Sequence, residues 1–162
     1  MKRIIALLLF VALFCCAGCQ QYSKEESGLR FYYCVSDLSY KCESAVISYE
    51  VKSGFSDEDL DQIMSHYLTG PMATDLRSPF PEGLSIISTE CNRDSIYVTV
   101  SSELCLLTDI ELTLACACLA LTCFELTPAE RIIITPEEGL LDGQRSITMD
   151  KNTLLLTIVS PE

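Results

Sequence analysis

The stretch T108-D-I-E-L-T-L-A-C-A-C-L-A-L-T-C-F-E125 decides how this chain folds. It opens at a Thr-Asp pair suited to a helix start and stops before Thr127-Pro128, where the residue ahead of proline is pushed out of the helical region. Between these ends nearly every residue is apolar or small. Glu111, Ala115, Cys118, Thr122 and Glu125 recur at helical spacing and form one narrow polar stripe. A helix apolar on all its other sides belongs in a core. It is therefore expected to be the most buried helix of the protein, packed across a sheet through Thr113 and Ala120.

Strand patterns lie on both sides of it. F31-Y-Y-C-V-S36 is aromatic and β-branched, and S44-A-V-I-S-Y-E-V51 alternates, so the two predict a hairpin. L84-S-I-I-S-T-E-C91 and S95-I-Y-V-T-V-S101 flank the turn residues Asn92-Arg93-Asp94 and predict a second hairpin, with Tyr97 and Thr99 on its outer side. R131-I-I-I-T135 lacks alternation, as expected of a strand covered on both faces or lying centrally. A closing hairpin is expected around Asp150-Lys151-Asn152. A shorter amphipathic helix places Leu60, Ile63, Met64, Tyr67 and Leu68 on one face, with Asp57, Glu58, Asp59 and Asp61 at its dipole-favoured start. The resulting order, β-β-α-β-β-α-β with a terminal hairpin, predicts an α+β fold, a small β-sheet with two helices packed on one face.

The chain begins with Lys2-Arg3 and a short apolar run ending in C15-C-A-G-C19, the layout of an export signal. Ala17-Gly18-Cys19 resembles the lipobox of bacterial lipoproteins. That resemblance implies a signal peptide over residues 1–18, cleavage before Cys19 and lipidation of its sulfur, leaving the protein anchored on the outer face of the cell membrane. Residues 19–30 would be a polar tether and residues 31–162 a single domain. Two acyl chains anchor stably where one does not. With Lys2 and Arg3 removed, the 11 basic residues become nine against 23 acidic ones, a net charge of −14. Such an acidic surface repels phosphates, so nucleic acid is not an expected partner.

Between the two helices, Y67-L-T-G-P-M-A-T-D-L-R-S-P-F-P-E-G-L-S-I86 spends three prolines and two glycines on one connection. Its prolines fix φ and its glycines open conformations closed to other residues. This makes it a rigid crossover, without the Gly-Lys pair of a phosphate loop. The succession of helix, Gly70-Pro71, Ser78-Pro79, Pro81, Gly83-Leu84, hairpin, Ser101–Leu104, long apolar helix, Leu121-Thr122, Phe124-Glu125 and strand Ile132–Ile134 resembles the GerMN domain of sporulation and spore-germination proteins, over roughly residues 31–145. The resemblance implies a non-enzymatic domain, akin to ring-building modules, that assembles or stabilises an envelope protein complex. Its partners would be envelope proteins, or itself as an oligomer.

Seven cysteines follow Cys19. Cys34 and Cys42 flank the first hairpin loop and are candidates for a disulfide; Cys116 and Cys123 are expected in the core, and Cys118, on the polar stripe, is a candidate exposed thiol. No doubled C-x₂₋₄-C pattern provides a zinc site, and the acids at the first helix lack calcium-loop spacing. No cofactor, metal or catalytic residue is expected; the only histidine, His66, lies on a helix flank. The candidate contact surface is Tyr97 and Thr99 on the sheet together with Glu111, Thr122 and Glu125 on the helix. The alternatives are a cell-wall- or solute-binding lipoprotein, which needs a pocket, and a thiol-redox lipoprotein, which needs an exposed activated cysteine.

Overall fold

The structure, a computed structural model, describes residues 28–37, 44–51 and 60–154. The protein is an α+β fold with two sheets. β1 (Leu29–Val35), β2 (Val46–Val51) and a two-residue β3 (Leu76–Arg77) make the smaller one, in the order β2-β1-β3. β4 (Ile86–Asn92), β5 (Ser95–Val100), β6 (Arg131–Pro136) and β7 (Ile147–Asp150) make the larger, in that order. The helices are α1 (Leu60–Leu68) and α2 (Asp109–Leu126). The expected single sheet is thus two: β1 pairs with β2 on one side and with β3 on the other, and joins none of the strands of the larger sheet.

Both hairpins form in the expected segments, β1 antiparallel to β2 and β4 antiparallel to β5. β6 runs parallel to β5 and lies between it and β7. A parallel neighbour cannot be reached by a tight turn and needs a crossover element; here α2 is that element. Side chains alternate across a strand, so Ile96, Val98, Val100, Ile132 and Ile134 turn to one face and are fully buried. Leu112, Cys116, Leu119, Ala120 and Cys123 of α2 share a core with them, as do Ile63, Met64 and Tyr67 of α1. Both helices therefore lie on one face of the four-stranded sheet, as the sequence predicts.

The smaller sheet closes the other side of that helical layer. Phe31 and Tyr33 turn toward α1, with ring centroids 5.1 Å from Tyr67 in each case. Tyr32 and Cys34 turn toward α2, where they form a second cluster with Val46, Cys118 and Leu121. α2 is consequently buried on nearly all sides, with Ala115 through Phe124 unbroken in the interior. Its many small residues have a reason: a helix flanked by backbone on two sides has no room for long side chains.

The proline-rich connection does carry the chain from α1 to the larger sheet. Gly70, at φ +90°, caps α1 in the left-handed conformation, its N–H donating to the Tyr67 carbonyl at 3.2 Å. The connection then contributes β3, which pairs with Cys34 and Val35 of β1. Phe80 stands edge-on to Tyr67 at 5.3 Å. The connection is therefore part of the smaller sheet as well as a crossover. The acidic helix start at 57–59 and the outer half of the closing hairpin, 155–162, lie outside the described residues. β7 supplies the inner half, antiparallel to β6.

Candidate functional site

Two surfaces were expected to meet a partner, and the structure treats them differently. The first is the stripe along α2. A strand advances about 3.3 Å per residue and a helix about 1.5 Å, so two strand residues and four helix residues span nearly equal lengths. β1 and α2 use that match. Residues 30, 32 and 34 of β1 meet residues 125, 122 and 118 of α2, running in opposite directions. Arg30 Nη1 lies 3.8 Å from Glu125 Oε1, the Tyr32 N–H donates to Thr122 Oγ1 at 3.0 Å, and the Cys34 and Cys118 sulfurs are 4.0 Å apart. The Tyr32 hydroxyl also donates to Glu125 at 3.1 Å.

Tyr32 turns both backbone groups to the edge of β1 beyond the short β3. Its C=O accepts from the Tyr67 hydroxyl at 2.8 Å, while its N–H donates to Thr122 Oγ1. Tyr33 adds a bond from its hydroxyl to the Tyr67 carbonyl at 2.8 Å. Unpaired buried backbone groups are costly, and here side chains from both helices satisfy a strand edge. The stripe is thus an internal seam. Thr122 is fully buried, against the expectation that it meets a partner; Cys118 is fully buried, against the expectation of an exposed thiol. In both cases the cause is β1, which covers the middle of the stripe. Only its ends, Glu111 and Glu125, are exposed. Thr113, expected to pack across the sheet, is exposed and bonds back to the Asp109 carbonyl at 2.9 Å.

The second surface is the outer face of the four-stranded sheet. Register places Glu90, Tyr97, Ile133 and Thr148 in one row across the four strands, with Ser88, Thr99 and Thr135 on one side of it and Asn92, Ser95, Arg131 and Asp150 on the other. Tyr97 is 45% exposed and Thr99 half-buried. Arg131 and Asp150 pair at 2.7 Å along the rim. No described helix or strand lies over this face. It is flat, mixed in polarity and centred on an aromatic ring.

Two concavities accompany these surfaces. One, of about 140 Å³, sits beneath the proline-rich connection and is lined by Cys34, Arg77, Phe80, Leu107, Glu111 and Leu114 among others. The other is a groove of about 340 Å³ between the start of α2 and residues 141–149. Its lining combines apolar residues, Leu112, Cys116, Leu141, Ile147 and Met149, with polar ones, Asp109, Thr113, Asp142, Gln144 and Thr148. Asp142-Gly143, with φ of 47° and 78°, turns tightly between Leu141 and Gln144, which exchange backbone bonds of 2.8 and 2.9 Å. Asp109 is also left-handed, at φ 51°. Thr108 stands at the helix start as expected but makes no side-chain cap bond.

Burial pushes the Cys116 thiol up to about 12 and that of Cys123 higher, so both pack as small apolar groups in the core, as expected. The contact between the Cys34 and Cys118 sulfurs holds the Cys34 thiol below its ordinary value, with help from Arg77, and together with burial raises that of Cys118. Cys34 is a free thiol, and Cys42, its expected partner, lies outside the described residues. Among the described residues no group of three or more His, Cys, Asp or Glu side chains converges as metal ligands, and no helix is long and apolar enough to cross a membrane. His66 is exposed on α1, its ring 6.2 Å from that of Phe31. No family model matches the chain, nor does any curated protein or solved structure.

The amino-acid sequence shows only part of the outer sheet face and little of the groove. Tyr97 and Thr99 were identified, but their neighbours Ile133, Thr148 and Glu90 come from three other strands whose register only the folded chain defines. The one sequence signal for the groove is Asp142-Gly143, a tight-turn pair.

Proposed function

We propose that this protein is an envelope lipoprotein, anchored through Cys19, whose α+β domain is non-enzymatic and assembles or stabilises a protein complex in sporulation or germination. The observation that carries the contact role is the outer face of the larger sheet, over which no described element lies and where Tyr97 remains 45% exposed in a row with Glu90, Ile133 and Thr148. Exposed aromatic residues amid polar neighbours are typical centres of protein interfaces. The chain carries a net charge of −12, so the partner surface is expected to be basic, and pairing between identical copies works against like charge. Lipidation would confine both partners to one membrane and raise their effective concentration. The sporulation context rests on the likeness to GerMN domains along the proline-rich connection, the hairpin and the long helix.

Heat-resistant spore counts in a host strain lacking the gene test this directly. Wild-type protein should restore the count, whereas Cys19→Ala and Tyr97→Ala should not, although both accumulate to normal levels. Normal spore counts and normal germination in the deleted strain would overturn the sporulation role. Rescue by Tyr97→Ala would remove the sheet face from it.

The 340 Å³ groove favours a second reading, binding of a cell-wall fragment or solute, because its volume is within the range of ligand sites and its lining combines apolar and polar groups. A rise in melting temperature on adding such a ligand, lost in Asp142→Ala, would favour it over the sheet face.

A further inference from the structure

The third rung of the seam brings two thiols together across 84 residues of chain, and nothing in the contact role uses them. We propose that Cys34 and Cys118 are a dithiol that closes to a disulfide by exchange with an external disulfide, stapling β1 to α2.

Three features of the geometry support this. The sulfurs are already 4.0 Å apart and face each other in the cluster formed by Tyr32, Val46 and Leu121. The backbones are close at this point, since one helical turn away the Tyr32 N–H reaches Thr122 Oγ1 directly at 3.0 Å. Of the two, Cys34 lies at a mouth: it lines the 140 Å³ cavity beside Arg77, whereas Cys118 is sealed behind it. Arg77 and the Cys118 S–H both favour the thiolate at Cys34, the arrangement that activates a cysteine toward exchange. Glu111, also on the cavity, is the opposing charge.

The chemistry balances as ordinary exchange. The Cys34 thiolate attacks one sulfur of a small or protein disulfide, forming a mixed disulfide and expelling the other sulfur as a thiolate. Cys118 then loses its proton and attacks the Cys34 sulfur, expelling the second external sulfur. Two protein thiols are oxidised, one external disulfide is reduced to two thiols, and the protons pass to those thiols. The cross-link would fix the β1 edge to the helix that bridges β5 and β6, joining the two sheets. It depends neither on the lipid anchor nor on the identity of the partner.

Tryptic cleavage separates the cysteines usefully. Fragment 31–41 contains Cys34 alone, fragment 42–52 contains Cys42, and fragment 94–131 contains Cys118 together with Cys105, Cys116 and Cys123. The full chain, reduced, freed of reductant and equilibrated with mixtures of reduced and oxidised glutathione, should lose free fragment 31–41 as 31–41 joined to 94–131 appears. Its urea midpoint should rise in step. Cys118→Ala, which adds one alanine to a helix already rich in them and stays folded, should abolish both the joined fragment and the rise. Fragment 31–41 joined to 42–52, a joined 31–41/94–131 species that persists in Cys118→Ala, or free thiols throughout the redox range would each overturn the proposal.

Discussion

The stripe of α2 and the outer face of the larger sheet look alike in the amino-acid sequence and have opposite fates in the fold. Both are runs of small, hydroxyl-bearing and charged residues at the period of their element, Glu111, Ala115, Cys118, Thr122 and Glu125 on the helix, Ser95, Tyr97 and Thr99 on the strand. The helix stripe is closed by β1, which leaves Thr122 and Cys118 fully buried; no described element lies over the sheet face, and Tyr97 is 45% exposed there. A polar period therefore identifies a face but not its covering. The covering of the stripe comes from a strand some 90 residues earlier, as the Tyr32–Thr122 separation shows.

The strongest way to break this comparison is to charge the closed surface. A lysine at Thr122 would face water on an open stripe, with an effect within about 0.5 kcal/mol. In the seam it places an unpaired ammonium among fully buried groups, at several kcal/mol for the ion, against a total stability of about 5–15 kcal/mol for an ordinary domain. Thr122→Lys is therefore expected to lose its cooperative urea transition or to shift it far downward. An unchanged midpoint would show that β1 does not cover α2.

Subtler changes sharpen the same point. Thr122→Val keeps the shape and removes the acceptor of the Tyr32 N–H, leaving a buried donor unsatisfied at about 1–3 kcal/mol. Tyr67→Phe removes the donor to the Tyr32 carbonyl and is expected to cost a similar amount. Because the three groups form one network, the double variant should cost less than the two single changes together. Additive losses in urea denaturation would show that Thr122 and Tyr67 act independently.

Much of the fold was legible because periodicity and turn chemistry agreed. The period of α2, the Asn92-Arg93-Asp94 turn and the stop at Gly70-Pro71 each specify local structure by themselves. What was not legible depends on partners distant in the chain. Ala115, Cys118 and Thr122 are too small to declare a core by hydropathy, and smallness is what a closely approaching strand requires. Leu76 and Arg77 carry no strand pattern; they pair only because β1 offers an edge beside them. The candidate site was half legible: Tyr97 and Thr99 stand where expected, while Thr122 and Cys118 belong to the interior.

Alkaline titration reads the closed region without mutation. Burial raises the phenol of Tyr32 to about 12 from an ordinary 10.0, with the neighbouring Glu125 adding to the shift, and burial also raises those of Tyr33 and Tyr67. Above pH 10 the unfolded chain releases these protons while the folded chain retains them, so ∂ΔG/∂pH for unfolding is negative there. Stability should be level from this source below pH 10 and fall progressively above it. Tyrosinate absorbance of the folded protein should lag that of the urea-unfolded chain over the same range. Coincident titration curves would place the three rings in water and undo the seam.

The smallest expected effect on stability belongs to the open face, and its smallness is what makes it informative. Tyr97→Ala removes a ring that is nearly half in water and makes no aromatic stack among the described residues, so the unfolding free energy should fall by no more than about 1 kcal/mol. If the sheet face is where a partner docks, the same variant should fail in cells while folding normally, because a central aromatic contributes most where the interface excludes water. Thr122→Val provides the reverse control: it weakens the fold yet leaves the face intact, so a partner should still bind whatever fraction is folded. A large stability loss for Tyr97→Ala would mean that the ring supports the sheet itself. The open face would then be structural, and the contrast between the two surfaces would reduce to burial alone.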